Sequence, residues 1–233
     1  MSATRINIKE NLMARSKPPD DDFEKLLRAC LEFSMLFPDG VVFIGGIAVY
    51  LHAMNHEKTR ALAEATHDAD FYISLADMAD LRDIEEVTAN RRLNKHQLIK
   101  NGFEFDIYTE RHSALIVPYD QIMAYSIVHD QMRLSSLEHL LILKLEAFRD
   151  RERSSKGQKD AKDLIRISLI LTGTRSRIQR DLIFPFLSED HLKALDRIAR
   201  GPEFLSLAKG NAKEAKEMRT QFHLLTGLLH QGI

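Results

Sequence analysis

The sequence predicts an α/β (α+β) protein: a small mixed-sheet domain followed by an all-helical C-terminal domain. Three observations carry that prediction. Val41-Val42-Phe43-Ile44 is a short apolar strand running into Gly45-Gly46 and a helical stretch. Phe103-Glu104-Phe105-Asp106-Ile107-Tyr108 alternates apolar and polar residues directly after Asn101-Gly102, the dipeptide that favours a tight hairpin. After Ser135 the composition changes and only helical periodicity remains. The boundary falls near residue 133, giving an α/β domain over 1–133 with a loose N-terminal arm and a helical bundle over 134–233.

Taken in order, residues 1–20 are polar and end in Lys17-Pro18-Pro19, which halts regular structure. Asp20–Asp22 supply caps and first-turn acids for a helix from Asp22 to Phe37, whose Phe23, Leu26, Leu27, Cys30 and Leu31 recur at helical spacing. Pro38-Asp39-Gly40 turns into the first strand. A helix over 46–55, a polar connection from His56 to Ala65 and a strand over 67–74 follow. Leu75–Thr88 reads as an exposed helix. Next come the hairpin around Asn101-Gly102, a short strand Ala114–Val117 and the sheet segment Ile127–Leu134. Helices are expected over Ser136–Arg151, Gln158–Leu171, Arg175–Phe186, Glu189–Arg200 and Ala212–His230.

With 33 basic against 34 acidic residues, the chain lacks the overall charge of a nucleic-acid coat protein, so any such contact needs a local patch. Cys30 is the only cysteine, which excludes an intramolecular disulfide and fits a reducing cytoplasm. The N-terminus has no apolar signal core and no window reaches the length of a membrane span, so a cytoplasmic protein without membrane contact is expected.

The chemistry concentrates between Val41 and Ile73, with one later strand. Side chains two apart on a strand share a face, so Asp68 and Asp70 point the same way while Ala69, Phe71 and Ile73 face the core. Adjacent carboxylates repel unless a cation sits between them, and magnesium carrying a nucleoside triphosphate (NTP) satisfies that need. Asp106, on the wet face of another strand, is the third candidate. Two-metal phosphoryl chemistry uses such bridging acids around ions roughly 4 Å apart. Gly45-Gly46 at a helix start offers backbone N–H groups to phosphate. Lys144 stands on the stripe Leu137, Leu140, Leu141, Phe148, where an apolar residue is expected, so it must snorkel, pair or act. Asp160 and Asp163, three apart, share one helix face. His52 and His56, four apart on a helix, have no third metal ligand in view.

Gly45-Gly46, Thr66-x-Asp68-x-Asp70 and the later strand acid together resemble the polymerase-β-type nucleotidyltransferase superfamily. Lys144-Leu145-Glu146-Ala147-Phe148-Arg149-Asp150-Arg151, followed by Lys159-Asp160-Ala161-Lys162-Asp163-Leu164, resembles the signature of its AbiEii/MenT-like branch, the toxins of toxin–antitoxin and abortive-infection systems. The likeness spans about residues 40–170. It implies two magnesium ions on Asp68, Asp70 and Asp106, with Asp106 also polarising an acceptor hydroxyl. It implies an NTP contacted by Gly45, Gly46, Thr66, Lys144, Arg149, Asp160 and Asp163. Two departures stand out: many members carry Gly-Ser where this chain has Gly45-Gly46, and Arg60 lies six residues before Thr66 rather than close to it.

The resulting expectation is a metal-dependent enzyme that moves a nucleoside monophosphate onto an acceptor hydroxyl. The resemblance makes the tRNA 3′ end the first acceptor and a cognate antitoxin the expected partner. Arg175, Arg177, Arg180, Lys209, Lys213, Lys216 and Arg219 offer basic side chains for an RNA backbone, with acids interleaved. The alternatives are transfer to a small molecule or a protein, or a nucleotide-binding interaction protein without turnover.

Overall fold

The computed structural model describes residues 21–55, 59–111, 115–173 and 178–232. Helix α1 (Asp21–Leu36) opens with Asp21, Asp22 and Glu24 at the positive end of its dipole and buries Phe23, Leu26, Cys30 and Phe33. Strand β1 (Val41–Ile44) is buried at all four positions, as an inner strand covered on both faces must be. It runs without a break into α2 (Gly45–Met54). Then follow β2 (Asp68–Ile73), α3 (Leu75–Ile84), β3 (Thr88–Asn90), β4 (Lys95–Lys100), β5 (Phe103–Thr109), α4 (Tyr119–Ala124), β6 (Ile127–His129) and β7 (Met132–Leu134). The C-terminal part comprises α5 (Leu137–Arg151), α6 (Ser155–Gly173), α7 (Glu189–Arg200), α8 (Glu203–Leu207) and α9 (Ala212–His230).

The strands form one seven-stranded mixed sheet in the order β3-β4-β5-β2-β1-β7-β6. Strand β2 is central: antiparallel to β1 and parallel to β5. Asn101 and Gly102 both take positive φ (53° and 83°), the geometry a two-residue hairpin turn needs. That turn pairs Lys100 with Phe103 and so places Gln97 opposite Asp106.

One face of the sheet carries Phe43, Phe71 and Phe105 under α1, with Phe33 at 5.5 Å from Phe71 and 5.0 Å from Phe105 between ring centroids. The other face carries Asp68, Asp70 and Asp106. Helix α2 packs on β2 and also on α5 and α6, and His52 holds it to the carbonyl of Ser135 at 2.8 Å. One apolar cluster runs from Phe23 to Leu229, through both sides of the 133/134 division.

Several expectations need correction. The exposed helix from Leu75 stops at Ile84, and Thr88–Asn90, with a β-branched start, forms the edge strand β3 instead. Ala114 lies outside the described residues. Leu115–Val117 is not a strand, because Pro118 ends the extended run and becomes the N-cap of α4. The helix expected over Arg175–Phe186 is replaced, among the described residues, by two 3-10 turns at Arg180–Leu182 and Phe184–Phe186, the second around Pro185. Arg175, Arg177, His56 and the arm over 1–20 also lie outside the described residues.

Candidate active site

Register builds the site. Asp70 faces Asp106 across the β2–β5 pairing and Ile44 across β1, so the two acids sit on adjacent strands about 5 Å apart in backbone spacing. Asp68 precedes Asp70 by one pleat on the same face. The chain from Ile44 into α2 then passes beside Asp70, and Gly45 is required there. Its φ is +74°, and a Cβ on it would come within 2.2 Å of Asp70 Oδ2. Gly46 is tight in a milder way: a Cβ would stand 3.1 Å from the Thr66 side chain.

Asp68 and Asp106 each meet a different cation. The Thr66 hydroxyl donates to Asp68 Oδ1 at 2.6 Å, and Lys159 of α6 reaches across to Thr66 Oγ1 at 2.9 Å and to Asp68 Oδ1 at 3.5 Å. Burial works to raise the Asp68 carboxyl, but that hydroxyl and ammonium outweigh it and hold the group below the usual range. Asp106 Oδ2 takes a short contact from Lys95, and Asp106 Oδ1 accepts from Gln97 Nε2 at 3.0 Å. Asp70 alone has no hydrogen-bond donor among the described residues. Burial, and then its neighbours Asp68 and Asp106, push its carboxyl up to about 7 against the opposing charges of Lys144 and Lys95.

The helical wall is an ion network. Lys144, 8% exposed, donates to Asp160 at 3.2 Å and pairs with Asp163 at 2.8 Å. Burial disfavours its charge, but Asp163 and Asp160 hold the ammonium above its ordinary range. Arg151 binds Asp160 with two nitrogens, at 2.6 and 3.0 Å. Arg166 joins Asp163, at 2.9 Å, to Glu64, two residues before Thr66. The network thus ties α5 and α6 to the loop that enters β2.

Beyond Asp70 on the same face, Tyr72 stacks edge-on with Tyr108 and Tyr119, at 6.2 and 5.6 Å between centroids. Tyr72 and Tyr119 wall a shallow cavity of about 340 Å³ with Glu110, Leu115, Pro118 and Asp120. Among the described residues this lining has two acids and no base, which does not suit a phosphate.

Of the residues expected from sequence, the structure brings Gly45, Gly46, Thr66, Asp68, Asp70 and Asp106 together, with Lys144, Asp160 and Asp163 forming the helical side. Arg149 stands apart, pairing with Glu146 and, at 3.3 Å, with Asp150. Sequence reasoning missed Lys95 and Gln97, which the hairpin register would have placed beside Asp106. It read Lys159 only as part of the signature, and Arg151 only as one of three arginines, with Arg149 and Arg153, among which a phosphate contact is expected. Arg151 follows Lys144 by seven residues, nearly two helical turns, so both point the same way. Arg149 lies five residues on and is rotated about 140° from Lys144.

Among the described residues, no three His, Cys, Asp or Glu side chains form a cage that holds a metal ion unaided. Magnesium does not need one, since it is commonly held by one or two carboxylates plus substrate phosphates. Asp68 and Asp70 fit that requirement: Asp70 lacks a donor and Asp68 keeps one oxygen without a hydrogen bond among the described residues. Asp106 fits it less well, because both its oxygens are taken.

Sheet order, the strand–glycine–helix passage and the facing acids make a mixed α/β fold with carboxylates on its open face. The chain is similar in structure to a Helicobacter pylori protein assigned as a nucleotidyltransferase, at 17% identity, over 90% of this chain and 95% of that one, with a TM-score of 0.51. An antigenic nucleotidyltransferase-like protein from Paracoccidioides brasiliensis superposes over 84% of this chain and 93% of its own at 15% identity, with a TM-score of 0.48. The Megavirus polyadenylate synthase superposes over 83% of this chain and 45% of its own at 13% identity, with a TM-score of 0.47. Neither a protein-family model nor a curated protein matches the sequence.

Proposed function

We propose that this chain transfers a nucleoside monophosphate from an NTP to an acceptor hydroxyl. The acceptor oxygen bonds to the α-phosphorus, the bond from that phosphorus to the β-bridging oxygen breaks, and pyrophosphate leaves. The observation that carries this reading is Asp70: a carboxylate beside two others, without a donor among the described residues, against a glycine at a helix start. Asp68 and Asp70 would hold magnesium with the triphosphate, and the bound ion would neutralise charge on the phosphates. The amides following Gly45 and Gly46 face the phosphates, and Lys144 and Arg151 supply fixed positive charge from the helical side. Asp106 accepts a hydrogen bond from the acceptor hydroxyl and orients it, and the proton is lost to water. Catalysis of this kind rests on position and electrostatics rather than a covalent intermediate.

The resemblance to AbiEii/MenT-like toxins extends the reading to a toxin that modifies the tRNA 3′ end and is restrained by a cognate antitoxin. Support comes from Lys144, Asp160 and Asp163, which join the two segments of that signature at one point. The exposed Lys213 and Lys216 on α9 are available to an RNA backbone, whereas Arg219 is committed to the Gly201 carbonyl at 3.1 Å. One observation favours a second acceptor. The tyrosine-walled, acidic cavity one pleat beyond Asp70 suits the amine of a small cationic molecule better than it suits RNA.

Incubation with each α-labelled NTP, magnesium and total bacterial tRNA tests the reading, with Asp68→Asn/Asp70→Asn as control. Label in tRNA with the parent chain only is the expected result. Label in an added aminoglycoside-like amine instead selects the second acceptor. Nucleotide binding without pyrophosphate release defeats the enzyme reading and leaves a binding protein.

A further inference from the structure

The three acids are not equivalent in how they are neutralised, and the difference is one of mobility. Lys159 reaches Asp68 from a helix, at 3.5 Å, with its side chain 46% exposed, so an incoming cation has solvent access to displace it. Lys95 is the opposite case. It lies on β4, its side chain is 9% exposed, and it contacts Asp106, whose side chain is 13% exposed. The hairpin register fixes the pair, because Gln97 is directly opposite Asp106 and Lys95 is two residues away on the same face. Gln97 fills the other Asp106 oxygen and also contacts Glu104. Separating Lys95 from Asp106 would leave two poorly solvated charges unpaired, which is strongly unfavourable. The Lys95 charge also acts on Asp70, after the larger effect of Lys144.

We propose that Lys95 is a built-in cation occupying the place of a second metal ion, so that the loaded site holds one divalent ion, on Asp68 and Asp70, and Asp106 is not a metal ligand. The inference rests on the nucleotidyltransferase reading above and deepens it. Lys95 neutralises Asp106, so Asp68 and Asp70 are the carboxylates left for an ion once Lys159 swings away. Asp106 is thereby kept as an acceptor-orienting group, with Lys95 and Gln97 as the positioning residues that set its rotamer.

The test counts manganese bound to the full chain by electron paramagnetic resonance, with a triphosphate analogue that resists cleavage between its α- and β-phosphates. One ion per bound nucleotide is expected, with a spectrum free of the spin coupling that two ions about 4 Å apart would show. Asp106→Asn keeps that count at one and changes manganese affinity by less than about threefold. Lys95→Met, confirmed as folded by circular dichroism, admits a second ion. Two coupled ions in the parent chain, reduced to one by Asp106→Asn, would overturn the proposal. A folded Lys95→Met chain that still binds one ion would overturn the part assigned to Lys95. If Lys95→Met does not fold, the Asp106→Asn arm decides alone. Failure of the underlying site reading looks different: manganese binding that is absent, or that survives Asp68→Asn/Asp70→Asn unchanged, removes both.

Discussion

At the scale of single residues, Asp70 and Gly45 are two halves of one constraint. The Asp70 carboxyl, ordinarily near 3.8, is raised to about 7 by burial and by Asp68 and Asp106. Between those values the folded chain binds a proton that the unfolded chain has released. The stability contributed by this group is therefore complete below pH about 4 and is lost as pH rises through about 7. Metal-free protein is expected to lose melting temperature from pH 5 to pH 8. Asp70→Asn should flatten that slope and exceed the parent chain at pH 8 by roughly 1–3 kcal/mol. Parallel pH profiles for the two proteins would count against the assignment. Gly45 is what lets this carboxylate sit beside the helix start. Gly45→Ala combines a left-handed backbone cost of about 1–2 kcal/mol with a collision at 2.2 Å, so it should both lower stability and abolish metal-dependent nucleotide binding. Gly46→Ser, whose Cβ would stand 3.1 Å from Thr66 rather than colliding, should retain binding. Isothermal titration of both variants separates these outcomes.

At the scale of elements, helix α5 shows how much of the site could be read from the chain alone. Lys144 was legible as an exception to an apolar stripe, and Asp160 and Asp163 as one face of α6. What periodicity alone left open was which arginine shares that face. The i, i+7 relation of Lys144 and Arg151 supplies the answer, since Arg149 points a third of a turn or more away. Arg151→Ala is expected to weaken nucleotide binding roughly tenfold, the loss of one charge-assisted contact. Arg149→Ala, an exposed i,i+3 pair with Glu146, should leave both binding and stability within about 0.5 kcal/mol. Equal losses for the two would show that helix face does not decide the contact. The strand pattern was similarly informative up to a limit. Alternation placed Asp68, Asp70 and Asp106 on the open face, and Asn101-Gly102 fixed the hairpin. Lys95 and Gln97 went unread because β4 is polar at both faces near its start, so hydrophobic alternation gave no register there. Thr88–Asn90, Tyr119–Ala124 and Glu203–Leu207 are too short for a periodic signal, and their form depends on what they pack against.

At the scale of the molecule, the change of composition near residue 133 marks a change of architecture without marking a break in the core. Leu134 of β7 and Leu140, Leu141 and Leu145 of α5 belong to the same apolar cluster as Phe43 and Phe71. The polar links agree. Arg166 and Lys159 of α6 hold Glu64, Thr66 and Asp68 at the entrance to β2, and His52 of α2 holds Ser135. The strand acids and the ion network of the helical wall therefore lose their shared geometry in the same event when the chain unfolds. Thermal denaturation should show one transition, coincident by far-ultraviolet circular dichroism and by a probe on either part. Magnesium with a non-hydrolysable NTP at about 100 times its dissociation constant should stabilise that transition by about 2.7 kcal/mol, a rise of roughly 5–10 °C for a domain of this size. On the proposed reading the ligand bridges the two parts, so the whole transition should move together. A first transition that shifts with nucleotide while a second stays fixed would mean that the helical part folds independently of the sheet, and that Lys144 and Arg151 approach the nucleotide by docking rather than from a preformed wall.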